Sequence, residues 1–397
     1  MKLYTVKNDI TDKSVILDDM ILTKDMPTAA GSKMLEGYMS LFEAEVVTRL
    51  KNSGYNIGGK AQVGEFAFDL LGESSCNGAC VSDGKLVNAA AEILKGGEGF
   101  AAIVLDVNGA PRRAAAQKGL VNVKPTYGTV SRYGTIPVAC SGETVSVSAA
   151  DSEKCEEILK VILGHDDKDG TSLSEDIIKN IFAGDSSAAK KIALPKSMLE
   201  SVDSEVKAQI DSFVKILEQN GIEVCEIEES LFKTARVAWN ILMSAELCNN
   251  VSRYDGVKYG YRANSFSNID ELYTNSRTEA FGELLKTTII FGSETLSTEN
   301  YMKVYDKALH MRRVISEYFN ELFKEYDAVL LPTTSFAAYS AEQTESNKYL
   351  CFEENLYTAP ASVTGLPVVT VGGVQLVGKA FSEKKLLDVA KLYERSK

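Results

Sequence analysis

The amino-acid sequence predicts an α/β protein in which a central sheet is covered by helices on both faces. Apolar runs of strand length alternate with longer stretches of helical period along nearly the whole chain. Residues 190–226 contain a strand, a helix and a strand in direct succession, and such a unit requires two parallel strands joined by a right-handed crossover. The chain has 397 residues, 45% of them hydrophobic, which is enough to build a sizeable core.

Short apolar runs bounded by turn residues predict the strands. In chain order these strands are 14–17, 20–23, 55–58, 101–106, 192–195, 223–225, 327–331, 368–371 and 373–377. The first two are expected to pair around a turn at Asp18 and Asp19. The third leads into Lys60, and Pro332 ends the strand at 327–331, because proline cannot donate to a sheet.

Apolar residues that recur every three or four positions predict the helices. In chain order these helices are 43–51, 86–95, 152–163, 203–219, 230–250, 270–291, 299–325 and 382–395. Gly54, Gly164 and Gly221 follow three of them, as expected of a residue that reaches the left-handed conformation at a helix end. The sequence shows no repeat, low-complexity tract or linker, so residues 1–397 are predicted to form a single domain.

Charge and composition exclude several classes of function. The net charge of −12 argues against a nucleic-acid-binding face. Seven dispersed cysteines indicate reduced thiols in a cytoplasmic protein, and the pair Cys76 and Cys80 has no second pair to complete a zinc site. With His165 and His310 as the only histidines, neither a histidine triad nor a metal centre is expected. No cofactor, signal peptide or membrane span is predicted.

Several sequence blocks occur in an order typical of one enzyme family. They are VKPTYGTVSRYG at 123–134, GK at 59–60 with GEFA at 64–67, GHDDKD at 164–169, RYDGVKYGYR at 253–262, 326–334, and TGLP at 364–367. Together they resemble the amidase-signature family, and within it the A subunits of glutamyl-tRNA(Gln)/aspartyl-tRNA(Asn) amidotransferases. The resemblance covers nearly the whole chain and implies a mixed central sheet ringed by helices. The family has helices before its first strand, whereas the first strand predicted here begins at residue 14, so the domain is expected to be trimmed at its N-terminus.

The resemblance also implies where the catalytic centre should lie. In the family a serine attacks a primary amide, activated through a second serine in a cis peptide and a lysine. Here the nucleophile position is occupied by Ala110, and a methyl group cannot attack a carbonyl carbon. Val107, Asn108 and Gly109 stand where backbone N–H groups would stabilise the oxyanion. Arg112, which the family shares, is expected to tie down this turn.

Of the other two catalytic positions, the second serine is predicted to be lost and the lysine is retained. The chain between Asn77 and the alanine-rich segment at 88–91 is much shorter than in the family, so the loop carrying the cis serine is predicted to be deleted or rebuilt. Ser82 is its only remnant hydroxyl. Lys60 is retained, either as a catalytic base or as a buried lysine that satisfies backbone carbonyls and carboxylates. With both serines missing, the second interpretation is favoured.

The positions that would bind glutamine are altered as well. By the resemblance, Thr287 and Thr288 replace the arginine that binds the α-carboxylate, and Asn355 replaces the acidic residue that holds the α-amino group. Loss of the arginine removes a bidentate carboxylate contact. Drift of an unselected pocket would produce these changes, and so would adaptation to another ligand.

Three functions therefore remain open. The first is a non-catalytic homologue with a structural or regulatory role beside B-subunit-like and small C-subunit-like proteins, without direct contact to nucleic acid or membrane. The second is a working amidase that uses Cys76, Cys80 or Ser82 as a substitute nucleophile with Lys60. The third is a module that binds an amide or amino acid. The first is favoured, because 253–262 and 301–334 keep the family pattern while the catalytic positions do not.

Overall fold

A single large sheet runs through the computed structural model, which describes residues 1–183, 187–228 and 231–397. The strands are β1 (Tyr4–Lys7), β2 (Ser14–Asp18), β3 (Asn56–Ala61), β4 (Val81–Ser82), β5 (Lys85–Leu86), β6 (Ala101–Asp106), β7 (Val121–Lys124), β8 (Thr144–Ala149), β9 (Lys191–Pro195), β10 (Glu223–Ile227), β11 (Ala328–Pro332), β12 (Val368–Val371) and β13 (Val374–Gly378). Eleven of them form the sheet in the order β1-β3-β2-β6-β8-β7-β12-β13-β11-β9-β10, and β4 and β5 form a separate hairpin.

Helices connect these strands and cover the sheet. They are α1 (Glu45–Asn52), α2 (Ala89–Lys95), α3 (Ala110–Lys118), α4 (Ser152–Ile162), α5 (Glu175–Ile178), α6 (Asn180–Ala183), α7 (Ser204–Gln219), α8 (Phe232–Val251), α9 (Ile269–Ala280), α10 (Glu283–Thr295), α11 (Asp306–Leu322), α12 (Ala341–Ser346), α13 (Leu350–Thr364) and α14 (Glu383–Ser396). Within the described residues, no helix has the length and apolar character needed to cross a membrane.

The sheet is mixed, and its central strands are covered on both faces. Strand β2 runs parallel to β3 and β6, and β9 runs parallel to β10 and β11, while β8, β12 and β13 pair antiparallel with their neighbours. Every residue of β2, β6, β8 and β11 is buried. Because successive side chains of a strand point to opposite faces, this burial means that both faces are covered. The predicted α/β class is therefore confirmed.

The βαβ unit predicted at 190–226 is confirmed as β9, α7 and β10. The two strands are parallel, with Lys191 opposite Glu223 and Pro195 opposite Ile227. The side chain of Asp203 accepts a hydrogen bond from the Val206 N–H at 2.8 Å and so caps the start of α7.

Two predicted elements are wrong in ways that tertiary contacts explain. Residues 20–23 do not form a strand, because the chain turns after β2 and only Ile21 makes a bridge, to Thr135. The helix predicted at 270–291 is two helices, since Phe281 is extended (φ −90°, ψ 139°) between α9 and α10. The Gly282 N–H donates to Glu65 Oε2 at 2.8 Å, a long-range bond that breaks the helix at this point.

Other boundaries shift, and some elements were not predicted. The helix at 299–325 begins with a π-helical turn, Tyr301–Tyr305, before α11. The helix at 86–95 begins only at Ala89, and residue 230, the predicted start of α8, lies outside the described residues. The elements missed in the sequence are β1, β7, β8, α3, α5, α6, α12, α13 and the β4–β5 hairpin. Strand β8, TVSVSA, alternates polar and apolar residues, a pattern that could have revealed it.

Candidate active site

The turn between β6 and α3 leads directly into Ala110 and is shaped by the residues on either side of it. Gly109 adopts the left-handed conformation (φ 84°) and caps α3, and Pro111 occupies the first turn, where its missing N–H costs nothing. The Gly109 N–H donates to Asp106 Oδ1 at 3.0 Å. One backbone donor of the predicted oxyanion turn is therefore already bonded within the protein. Ala110 itself is buried as the first residue of α3.

Arg112 and Asp106 form a fully buried ion pair beneath this turn. Arg112 Nε lies 2.7 Å from Asp106 Oδ2, and Nη2 lies 3.0 Å from Oδ1. The guanidinium also donates to the Thr358 carbonyl (3.0 Å) and to Ser362 Oγ (2.8 Å) on α13. Burial opposes ionisation of Asp106, but the charge and hydrogen bonds of Arg112 outweigh it and hold the pKa of Asp106 below its ordinary value. The arrangement locks the turn to α13.

Two residues that were not predicted, Arg113 and Trp239, hold the turn from other sides. Arg113 is buried and donates to the Asn108 carbonyl at 2.7 Å and to Thr358 Oγ1 at 3.2 Å. The indole Nε1 of Trp239, on α8, donates to Asn108 Oδ1 at 3.0 Å. Two features of the sequence could have pointed to these residues: Trp239 is the only tryptophan of the chain, and Arg113 is one of two adjacent arginines in an alanine-rich segment. All polar atoms of the Asn108 side chain are bonded, since its Nδ2 donates to the Phe68 carbonyl at 2.8 Å.

The cavity beside Ala110 has room for water but not for a substrate. It offers about 20 Å³ to the centre of a water molecule, and one water needs roughly 10–15 Å³ by this measure. Asp18, Asp69, Asn88 and Ser148 supply its polar lining. Burial raises the pKa of Asp18 to about 8 and also raises that of Asp69, so both carboxyls favour the neutral acid near pH 7.

Lys60 lies on β3 and does not line the cavity at Ala110. Its Nζ donates to the Pro27 carbonyl at 3.0 Å and to Thr28 Oγ1. Burial lowers the pKa of Lys60 from 10.5 to about 8, although the charges of Asp19 and Asp25 oppose this shift. At pH 7 the group is therefore mainly a protonated donor, bonded to a carbonyl and a hydroxyl, rather than a free base.

The structure does not gather the three substitute nucleophiles around Ala110. Cys76 is exposed in a loop and Cys80 is buried, with its Sγ 3.5 Å from the Lys2 carbonyl oxygen. Burial raises the pKa of both thiols, which disfavours the reactive thiolate. Ser82 lies on β4, opposite Lys85 of β5. None of the three lines the cavity at Ala110.

Thr287 and Thr288 line a separate and larger cavity of about 320 Å³, and Asn355 does not. Its lining surface is almost entirely apolar and consists of Asn240, Thr287, Thr288, Phe291, Tyr349 and Phe352. Asn355 is fully buried and is linked to the cavity through one of its lining residues, since its Nδ2 donates to Asn240 Oδ1 at 2.6 Å. No charged side chain lines this cavity, so it lacks the groups that would pair with the α-carboxylate and α-amino group of an amino acid.

Substituting Gly109 by alanine tests how tightly the turn is packed. A Cβ at this position would lie 2.5 Å from Thr358 Cβ, whereas a Cβ at Gly119, which is also left-handed at the other end of α3, would meet nothing within 4 Å. Both changes carry the left-handed cost of about 1–2 kcal/mol. We expect Gly109→Ala to lose about 1–3 kcal/mol more than Gly119→Ala, because of overpacking, when both are measured by urea unfolding. Equal losses would mean that the turn can move away from α13.

Comparison with known proteins identifies relatives over almost the whole chain. A family model described as Amidase matches residues 14–82 and 91–387. The A subunit of glutamyl-tRNA(Gln) amidotransferase from Lachnoclostridium phytofermentans is 34% identical, and the match covers 96% of this chain and 83% of that protein. The corresponding protein from Symbiobacterium thermophilum is also 34% identical, with 96% and 82% covered.

Solved structures agree with this result. The crystal structure of the glutamyl-tRNA(Gln) amidotransferase A subunit from Thermotoga maritima has a TM-score of 0.81 at 27% identity, covering 99% of this chain and 87% of that chain. The urea amidolyase of Kluyveromyces lactis also has a TM-score of 0.81, at 24% identity, and covers 96% of this chain and 22% of that chain. At that identity the second match demonstrates a shared fold only.

Proposed function

This chain belongs to the amidase family, and we propose that it is a non-catalytic member with a structural or regulatory role in an amidotransferase-like complex. The whole chain, residues 1–397, acts as one amidase-signature domain in this proposal. The observation that carries it is Ala110, which stands at the nucleophile position and has no atom able to attack an amide carbon.

The surroundings of Ala110 support the same conclusion. The adjoining cavity has room for about one water, and the Gly109 N–H is bonded to Asp106. The two segments matched by the family model are separated by residues 83–90, next to Ser82, where loss of the cis-serine loop is inferred. The Lys60 ammonium donates its hydrogen bonds to the Pro27 carbonyl and to Thr28 Oγ1. Nucleophile, proton relay and base are thus all altered or engaged elsewhere.

The other two functions receive less support. A working amidase would need Cys76, Cys80 or Ser82 near an activating group, and burial raises the pKa of both thiols. A module that binds amino acids would need charged groups in the cavity at Thr287, where the lining is almost entirely apolar.

The names of the relatives suggest the kind of partner. They are subunits of an amidotransferase, so proteins like its B and C subunits are the proposed partners, in the cytoplasm. With a net charge of −12, this chain would leave contact with nucleic acid to those partners.

Ammonia release tests the absence of amidase activity. The purified chain and its Ala110→Ser variant are incubated with glutamine, asparagine and simple amides, with the homologous protein from Thermotoga maritima as positive control. We expect no release from either form of this chain, because a serine at 110 would still lack its relay serine and a free lysine base. Robust release by the unmodified chain would refute the proposal, and Cys76, Cys80, Ser82 and Lys60 would then be replaced one at a time.

A further inference from the structure

Exposed apolar side chains are concentrated in two segments, 38–42 and 253–268, which we call the aromatic-basic surface. Of the twenty large apolar side chains that are exposed among the described residues, six lie here: Met39, Leu41, Phe42, Val257, Tyr259 and Phe266. Leu41 is 90% exposed, the highest value of the twenty. A cluster of this kind marks an interaction site more often than scattered surface residues do.

The two segments are in contact. The rings of Tyr38 and Tyr259 lie 5.9 Å apart, and the Tyr261 N–H donates to the Met34 carbonyl at 2.7 Å. Lys33 Nζ lies 4.1 Å from the centre of the Tyr261 ring. Residues that are distant in the sequence are thereby held side by side.

Close packing makes this surface rigid before any partner binds. Gly260 is left-handed (φ 80°), and a Cβ there would lie 2.3 Å from the Met34 carbonyl oxygen. Tyr254 is buried and stacked on Phe66, with ring centres 5.5 Å apart. Ser40 Oγ donates to the Phe42 carbonyl at 2.8 Å and holds the bend that carries Leu41. Such preorganisation lowers the entropic cost of binding.

The loop also carries positive charge on an otherwise acidic protein. Residues 253–268 contain three cations, Arg253, Lys258 and Arg262, and one carboxylate, Asp255, whereas the whole chain has a net charge of −12. Two carboxylates of α9 also contact the loop: Glu279 accepts from the Tyr261 hydroxyl and Glu271 accepts from the Ser267 N–H. Within the described part of the chain, none of the three cations lies within ion-pair distance of a carboxylate. Asp255 Oδ1 is occupied by the Val257 N–H at 2.9 Å.

We infer that the aromatic-basic surface docks an acidic amphipathic segment of a protein partner. Apolar side chains of that segment would cover Met39, Leu41 and Val257, and its carboxylates would pair with Lys258 and Arg262. Exposed aliphatic side chains favour a protein over nucleic acid, and the net negative charge would repel phosphates. This inference rests on the proposed function, since a protein without catalytic activity acts through its partners.

A labelled peptide provides the test. The probe is a helical peptide with leucines on one face and glutamates on the other, and its counterpart has lysines in place of the glutamates. Binding to the full chain is followed by fluorescence anisotropy at low and high salt. We expect saturable binding of the acidic peptide only, weakened by salt. The Leu41→Ser/Lys258→Glu variant should bind about tenfold more weakly or worse, because an apolar anchor and a charge partner are both lost.

A matched pair elsewhere serves as control. Leu309 and Lys307 are also exposed, on α11, so Leu309→Ser/Lys307→Glu should bind like the unmodified chain. The inference is overturned if both double variants bind alike, or if the lysine peptide binds as well as the acidic one. It is also overturned if Leu41→Ser/Lys258→Glu instead abolishes binding of an RNA oligonucleotide, or dissociates a dimer seen by light scattering. Ammonia release tests the proposed function, and peptide binding tests the docking surface. Because ammonia release would refute the first without altering the peptide result, failure of one can be told from failure of the other.

Discussion

The Arg112→Met variant is expected to lose about 3–5 kcal/mol of unfolding free energy, because it leaves Asp106 as an unpaired buried charge. Both side chains of this ion pair have no solvent exposure, and the guanidinium makes two hydrogen bonds to the carboxylate. Its further bonds to Thr358 and Ser362 on α13 would be lost as well. Urea unfolding followed by circular dichroism measures the difference.

Arg313 provides the matched control. It also contacts a carboxylate, Glu317, at 2.8 Å, but the two side chains are 81% and 60% exposed. Arg313→Met should therefore change stability by less than about 1 kcal/mol. If Arg112→Met does not fold, the double variant Asp106→Asn/Arg112→Met should recover part of the stability, because the orphaned charge is gone. If Arg112→Met and Arg313→Met lose similar amounts of unfolding free energy, the buried ion pair does not hold the turn to α13.

The Lys60→Met variant is expected to gain stability relative to the unmodified chain at pH 8, and to lose that advantage progressively towards pH 10.5. Burial lowers the pKa of Lys60 from 10.5 to about 8 in the folded protein. Between these values the unfolded chain binds more protons, so the stability of the unmodified protein rises with pH. Below pH 8 both states are protonated and the full cost of the buried charge is present.

The size of the stability change follows from the shift in the pKa of Lys60. The stability difference between variant and unmodified chain should fall by about 3 kcal/mol from pH 8 to pH 10.5. Burial raises the pKa of Asp19 to about 7, and the Lys60 charge opposes this shift. Without that charge the pKa of Asp19 rises further, so the variant loses additional stability as the pH increases and the stability difference falls for this reason as well. Unfolding curves at several pH values measure it. Lys95→Met, at an exposed position on α2, should show no such trend. A flat difference for Lys60→Met would show that the Lys60 ammonium is well solvated.

Local patterns in the sequence were sufficient for most of the architecture. The α/β class, the βαβ unit of β9, α7 and β10, and the family resemblance were all predicted, and each is confirmed. These features depend on periodicity and on short motifs, which neighbouring residues specify by themselves.

Where long-range contacts compete with local preference, prediction failed. The helix predicted at 270–291 breaks because the Gly282 N–H bonds Glu65, which is 217 residues away. The strand predicted at 20–23 gives way to a turn, with a single bridge from Ile21 to Thr135. Helix α13 contains Pro360, which argues against a helix in any local analysis, yet its buried residues pack tightly against α8.

The sequence by itself determined that residue 110 is an alanine, since the identity of a residue does not depend on packing, and the family resemblance predicts that this is the nucleophile position. Only the tertiary structure decided the surroundings of that residue: Arg113 and Trp239 against the turn, Lys60 bonded to Pro27 and Thr28, and Thr287 beside an uncharged cavity. These contacts join residues far apart in the chain, and their strength depends on burial, which removes the competition of water and makes each hydrogen bond and charge count for more.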